Sequence, residues 1–213
     1  MKSNPENSLK LSFAGKRILP NKQIVKQALE EFFEKLSIEN GLEKVEFFNG
    51  LAEGSDLLAA ELFLETPLKG SRILHAVIPM ETNYYIKTIE DKIAKLKFTQ
   101  LWETANRKTI MPIVNDLNLN RAYILQSDFL AQQGDVLLAV ADTDAELLEG
   151  GTLDTINKFL IEKKPIFCFD YLKQGWFISS YSIEKKSYKI SDLEFYKQLY
   201  DYPHQIQFRR LSS

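Results

Sequence analysis

Two short segments of this 213-residue chain put glycines where a strand would give way to a helix, and free backbone N–H groups at such a place can hold an anion. The first is Asn49-Gly50-Leu51-Ala52-Glu53-Gly54-Ser55-Asp56. Gly50 and Gly54 permit close backbone approach and positive φ, and Ser55 is of the type that caps a following helix. The same residues would also serve a plain tight turn, because the segment is neither a Walker loop nor a GxGxxG fingerprint. The second, Gly150-Gly151-Thr152, repeats the arrangement, with Thr152 as cap and Asp154 in the first turn, where a carboxylate suits the helix dipole. Gly15 precedes Lys16 and Arg17, which places cations beside a third glycine. Pro79-Met80 has Tyr84 and Tyr85 downstream, either of which would wall a base or ribose. Glu53, Asp56 and Asp154 add carboxylates, strong acceptors for a diol. Two glycine loops at one crevice are poorly explained by turn geometry alone.

Such loops meet only where a parallel sheet presents its carboxyl edge. The periodicity predicts one. Apolar runs at 9–13, 45–48, 73–78, 110–114, 136–141 and 166–169 read as strands. The stretch 21–36 places Ile24, Val25, Ala28, Leu29, Phe32, Phe33 and Leu36 on one helical face. The stretch 56–64 is apolar enough for a buried helix. Residues 81–106 read as one polar helical stretch with Tyr84, Tyr85, Ile89, Ile93, Leu96, Phe98 and Leu101 as its apolar side. Further helices fall at 121–133 and 153–161. This alternation predicts an α/β, Rossmann-like three-layer sandwich with a mostly parallel sheet over residues 1–170. A short C-terminal β/α appendage, 171–213, follows, with a strand at 176–183 and a capping-box spacing at Ser191 and Glu194. Its aromatics (Phe177, Tyr181, Phe195, Tyr196, Tyr200, Tyr202, Phe208) would pack on the same domain or on a partner subunit.

Composition narrows the chemistry. Lys plus Arg total 27 against 29 for Asp plus Glu, a net charge of -2, which argues against a chain that coats nucleic acid or an anionic membrane. The single cysteine, Cys168, excludes a disulfide framework and a thiolate zinc site, and two histidines, His75 and His204, do not make a metal cage. No metal or resident cofactor is expected. Both Cys168 and His75 fall inside strands and read as core residues. The first residues lack an apolar signal region and no run is long enough to span a bilayer, so a cytoplasmic location is expected.

The run from Gly50 to Glu61, Gly50-Leu51-Ala52-Glu53-Gly54-Ser55-Asp56-Leu57-Leu58-Ala59-Ala60-Glu61, resembles the "GLAEGAD-x-LAAE" signature of the SLOG superfamily. These Rossmann-like domains are named for the Smf/DprA and Lonely Guy proteins. Phe13-Ala14-Gly15-Lys16-Arg17 is similar to the family's "SGHR" turn, with Lys16 where histidine is usual. Ala76-Val77-Ile78-Pro79-Met80 resembles its "AVLPF" strand end, and Arg121 with Tyr123 an Arg-x-Tyr element. Residues 136–142, ending at Asp142, resemble its "D-x-L-I-A-V-W-D" strand, and Gly150-Gly151-Thr152-Leu153-Asp154 its "GGT-x-D" turn. The likeness covers roughly the first 170 residues.

The resemblance implies a pocket for a nucleotide or nucleotide derivative over the carboxyl edge of the sheet. Members sense ADP-ribose-like or cyclic nucleotide signals, often in bacterial antiphage defence. Others bind single-stranded DNA, and the Lonely Guy branch hydrolyses nucleoside 5′-monophosphates through a "PGGxGTxxE" motif. Its glutamate falls here on Thr155, which leaves Asp154 or Glu53 to stabilise an oxocarbenium-like transition state. The leading expectation is therefore a sensor of a small nucleotide-derived ligand, with Arg121 favoured for bidentate phosphate contact. A phosphoribohydrolase is the alternative, and single-stranded nucleic acid a third reading that lacks a basic groove. A sensor role also suggests a homo-oligomer or a partnering effector.

Overall fold

A strand covered by helices on both faces must be apolar at nearly every position, and two segments here meet that demand, one of them closing on a buried aspartate, Asp170. In the computed structural model, which describes residues 8–38, 42–112, 119–142, 151–179 and 186–188, strand β5 (Val136–Ala141) and strand β6 (Ile166–Asp170) are buried throughout. With β1 (Ser8–Gly15), β2 (Lys44–Asn49), β3 (Ser71–Ile78) and β4 (Arg107–Ile110) they form the parallel part of one sheet, in the order β4-β3-β2-β1-β5-β6. Antiparallel β7 (Gly175–Ser179) and β8 (Lys186–Tyr188) extend the β6 side, completing eight strands. The chain starts in the middle, works outward to β4, and returns to the other flank of β1. The direction of winding therefore reverses between β1 and β5, the place where open α/β sheets form a ligand crevice.

Side chains alternate across the pleat and build two different layers. Leu11, Phe13, Val45, Phe47, Leu74 and Leu138 face α1 (Lys22–Ile38), α2 (Ser55–Glu65) and α4 (Lys92–Thr104). Aromatic rings dominate that layer: the Phe47 centroid lies 4.8 Å from Phe63, 5.6 Å from Phe33 and 6.0 Å from Phe13. On the opposite face, under α5 (Leu119–Gln133) and α6 (Gly151–Ile161), small residues of β1 and β5, Ser12, Ala14, Ala139 and Ala141, lie beside Leu137, Phe48 and Val77. Ser12 Oγ donates to the Leu130 carbonyl at 2.8 Å, which pins α5 close to β1.

The element order matches the expected α/β sandwich, with three departures. The stretch 81–106 is not one helix. It divides into the single turn α3 (Thr82–Tyr85), a 3₁₀ turn (Ile86–Thr88) and α4, because Asp91 caps α4 by accepting from the Ala94 N–H at 2.7 Å. The break rotates the apolar stripe, so Tyr84, Ile93 and Leu96 face solvent while Tyr85, Ile89, Phe98 and Leu101 are buried. β4 comes earlier than 110–114; β7 covers the described part of the strand expected at 176–183, whose residues 180–183 lie outside the described residues. α6 begins at Gly151, inside the segment read as a loop. The Ser191 and Glu194 capping box and the aromatics from Tyr181 onward lie outside the described residues. Trp176 of β7 is buried, with its ring 5.7 Å from Phe32 and 5.2 Å from Phe169, so this strand shares the sheet's main core.

Cys168 is buried, and His75 is satisfied by Thr109 Oγ1 at 2.8 Å and by Glu46 at 3.4 Å. Glu46 is itself buried and paired with Arg107 at 2.6 Å. Burial holds the His75 imidazole below its usual pKa, against the pull of Glu46. Among the described residues no helix is long and apolar enough to cross a membrane, and no group of three or more His, Cys, Asp or Glu could hold a metal.

The packing makes Phe47 the centre of the larger layer. Phe47→Ala is expected to cost about 3–5 kcal/mol of unfolding free energy, read from urea titration, since the surrounding rings cannot close the cavity. A loss under about 1 kcal/mol would contradict this account of the core.

Candidate functional site

β1 ends at Gly15, and the loop that follows is pressed against the start of α2. A Cβ on Gly15 would stand 2.0 Å from Ser55 Oγ, and one on Gly54 would stand 2.1 Å from the Arg17 carbonyl. Gly54 has φ 94°, so it also needs glycine's freedom at positive φ. The Lys16 carbonyl accepts from both the backbone N–H and the hydroxyl of Ser55, each at 3.0 Å. Ser55 is thus not a helix cap. Gly54 takes that position, without a side-chain bond, and the Ser55 N–H is committed to protein rather than open to an anion.

The first glycine of the segment plays a different part from the one expected. Positive φ falls on Leu51 (φ 51°), whose wholly buried side chain anchors the turn. Asn49 secures it: its Oδ1 accepts from the Leu51 N–H at 2.7 Å and its Nδ2 donates to the Asp56 carbonyl at 3.0 Å. Gly50 is small because side chains crowd it. A Cβ there would lie 2.9 Å from Gln126 Nε2 and 3.0 Å from Asp56 Oδ2.

Between these loops and helices α5 and α6 lies a crevice of about 820 Å³, within the range of small-ligand sites. Gly15, Lys16 and Arg17 line it from β1, and Gly50, Ala52 and Asp56 from the loop and helix after β2. Gly151, Thr152 and Asp154 line it from α6, and Tyr85 from α3. Other sequence candidates are elsewhere. Glu53 and Gly54 line a separate cavity of about 250 Å³ beside α4, where Glu53 accepts from the N–H groups of Glu90 (2.8 Å) and Asp91 (3.3 Å). Pro79 is buried and does not line the crevice. Asp142 is not among the lining residues but lies close enough to Tyr171, which is, to raise its hydroxyl pKa together with burial. Gly150 lies outside the described residues.

The aromatic and cationic expectations need correcting. Tyr84 is exposed with the Lys87 ammonium over its ring, away from the crevice. Tyr85 is buried against Phe98, and its hydroxyl donates to the Gly50 carbonyl at 2.9 Å, so neither ring is free to stack on a base. Arg121 is exposed and does not line the crevice. Two residues further along α5, Tyr123 lines it instead, and its hydroxyl accepts from Arg17 Nη2 at 2.9 Å while the guanidinium lies 5.7 Å from its ring centre. The residues that sequence reasoning missed are mainly Asn120, Ile124, Ser127 and Leu130, which form a stripe of α5 with Tyr123 of the Arg-x-Tyr element, and Gln126 beside it. Their spacing of three and four was a legible signal once α5 was placed on the crevice side.

Hydroxyl groups around the crevice spend their protons on backbone carbonyls. Thr152 Oγ1 donates to the Gly15 carbonyl at 2.8 Å, tying β1 to α6 rather than capping its own helix. Thr155 Oγ1 donates to the Gly151 carbonyl at 2.8 Å, and Ser127 Oγ to the Tyr123 carbonyl at 3.0 Å. Asp154 pairs with Lys158 at 3.1 Å, and Lys158 also holds Asp128 at 2.6 Å. Asp154 is therefore a neutralised carboxylate at the crevice wall.

Asp56 is different. It is only 6% exposed, and its Oδ1 has no hydrogen-bond partner among the described residues. Burial pushes its carboxyl up to about 7, against the opposing pull of the Ala52 N–H, the Arg17 charge and the Gly15 N–H. Burial also drives the Tyr85 hydroxyl well above its usual range, with the Asp56 charge adding to it.

No family model matches the chain, and no curated protein matches it. Solved structures do. DNA processing protein A from Helicobacter pylori superposes with a TM-score of 0.55 at 17% identity, over 78% of this chain and 70% of that one. DNA processing protein A from Streptococcus pneumoniae superposes at 0.52 and 16% identity, over 76% of this chain and half of that one. The chain shares the fold of the matched part of DNA processing protein A. Identities this low show the fold and nothing further.

The Asp56 carboxyl rises from 3.8 unfolded to about 7 folded, so the folded state holds a proton the unfolded state releases. Its stabilising contribution is complete below pH 4 and is lost as pH rises through 7, by at most about 4 kcal/mol. Asp56→Asn is expected to raise the melting temperature relative to wild type at pH 8, with the difference shrinking toward pH 4. Scanning calorimetry across that range checks it, and parallel curves for the two proteins would refute it.

Proposed function

We propose that the crevice binds a small nucleotide-derived ligand and that the protein acts as a sensor of it. The observation that carries this reading is the crevice itself: about 820 Å³ at the winding reversal between β1 and β5, with a polar interior and apolar lips. Ile18 and Ile124, both large and exposed, are among the lining residues and offer apolar surface to a nucleoside. Lys16 and Arg17 supply countercharge for phosphate. The open side at Gly151, where a Cβ would touch nothing, lets a ligand approach the first turn of α6.

Binding fits the residues better than turnover does. Thr155 stands where the resemblance would put a catalytic glutamate, and its hydroxyl is committed to Gly151. Asp154, the nearest carboxylate in sequence, is paired with Lys158. A small ligand also fits better than a nucleic acid strand. The Helicobacter pylori relative is described by its single-stranded DNA binding mode. Here, though, Lys16 and Arg17 are the only cations among the lining residues, too few to make the positively charged groove that tracks a polyanion.

Isothermal calorimetry against AMP, ADP-ribose and cyclic ADP-ribose isomers is expected to give saturable, one-to-one binding by at least one of them. Chromatography of the same mixtures is expected to show no free adenine. Silence from every nucleotide at millimolar concentration would overturn the reading. Adenine release abolished by Asp154→Ala would replace it with a hydrolase, and tight, salt-sensitive binding of a labelled oligonucleotide would replace it with a nucleic-acid function.

A further inference from the structure

The interior of the crevice is a surface of acceptors. Tyr85 and Thr152 each turn their hydroxyl hydrogen toward a backbone carbonyl, at 2.9 and 2.8 Å, and Thr155 and Ser127 spend theirs on the Gly151 and Tyr123 carbonyls and on a 3.1 Å contact with each other, so all four donors are engaged within the protein. Asp56 sits at the head of α2 among them, nine-tenths buried, with Oδ1 unpartnered. Leaving a buried carboxyl oxygen unmatched is costly, and such a cost in a cleft marks a group kept for a ligand. The donors are placed differently. Arg17 is exposed and Lys16 half-buried, both on the loop after β1.

Resting on the reading of the crevice as a nucleotide site, we propose that Asp56 selects and orients the ligand: Oδ1 accepts a hydrogen bond from an uncharged donor on the nucleoside end, a ribose hydroxyl or an exocyclic amine, while the phosphate stays at the rim with Lys16 and Arg17. A phosphate directed inward would meet the buried Asp56 carboxyl, whereas the two cations of the lining, Lys16 and Arg17, stand at the rim. A vicinal diol meets the acceptors it needs. The substrate class is thus a nucleotide whose neutral, donor-rich end enters first.

This arrangement couples binding to a proton. A donor to Asp56 favours the ionised carboxylate, so the ligand expels the proton that burial retains. The charged and titratable groups facing Asp56 are Arg17 from the loop after β1, Tyr85 from α3 and Tyr123 from α5, with Lys16 and Asp154 also on the crevice wall. Burial drives the Tyr85 hydroxyl well above its usual range, the Arg17 guanidinium is held above its own, and Asp154 is held by Lys158. Affinity is therefore expected to fall about tenfold from pH 8 to pH 6.

The test is calorimetry on the full chain, wild type and Asp56→Asn, with ADP-ribose at pH 8 and pH 6. Its two phosphates are both esterified and do not titrate in that window, unlike the monoester of AMP. Wild type is expected to bind about tenfold more weakly at pH 6, and Asp56→Asn to bind at least tenfold more weakly than wild type at pH 8, with no pH dependence. A melting curve confirms that the variant is folded. Comparing AMP with 2′-deoxyAMP, 3′-deoxyAMP and IMP at pH 8 then separates the donors: loss with a deoxy analogue assigns a ribose hydroxyl, and loss with IMP assigns the amine. If wild type and variant bind ADP-ribose equally, the nucleotide reading stands and the role of Asp56 falls. A wild-type affinity that is flat from pH 6 to 8 overturns it too, without need of the variant. No binding by wild type to any of these nucleotides overturns both.

Discussion

A single carbonyl holds the site together. The Lys16 oxygen accepts two hydrogen bonds from Ser55, one from its backbone and one from its hydroxyl, and so joins the loop after β1 to the first turn of α2. The junction works only because Gly15 and Gly54 have no side chains: each would otherwise place a carbon within about 2 Å of the opposing segment. Everything deeper follows from that closeness. Asp56 is carried to the base of the crevice on the next residue of α2, and Arg17 is carried to its rim by the same loop. The glycine segment is therefore less an anion cradle than a joint between two loops, and its position decides where the charged groups lie.

The two faces of the sheet divide the labour. On one, aromatic rings from β1, β2, α1 and α2 form a dense layer that supplies most of the apolar burial. On the other, Ser12, Ala14, Ala139 and Ala141 let α5 and α6 lie close to the strands, and the crevice opens where those helices begin. A thick layer under the helices would push α5 outward and take Tyr123 and Ser127 from the wall. The polar interior is tolerated because nearly every hydroxyl in it has a backbone carbonyl to donate to. Asp56 is the exception, and it concentrates in one group a cost that the rest of the site avoids. The aromatic layer makes that cost bearable, since marginal stability would not survive many such groups.

Some of the site was legible and some was not, for reasons visible in particular residues. Gly54 was readable because a positive φ and a close approach both demand glycine. Gly50 was readable as small but not as to why: the crowding comes from Gln126, 76 residues along the chain by number and unpredictable from its neighbours. Tyr84 and Tyr85 looked equivalent, yet the end of α3 turns one into the core and the other to solvent. Their spacing alone could not say which, because the helix they were assigned to does not run on: Asp91 starts a new one. Ser55 and Thr152 had the right chemistry for caps and were drawn instead to the Lys16 and Gly15 carbonyls, acceptors supplied by a different strand.

The sequence by itself determined the α/β alternation, the mostly apolar central strands and the loops that would carry the site. Those are local matters of period, propensity and glycine geometry, and the chain states them within windows of a dozen residues. Only the tertiary structure decided where the Tyr85 and Thr152 hydroxyls would donate, which tyrosines reached the crevice, and that Asp56 would be buried with an oxygen unmatched. Each of these depends on groups between about 35 and 140 residues apart meeting at the reversal between β1 and β5, and no local pattern encodes the hydrogen-bond partner that arrives from the far side of a sheet.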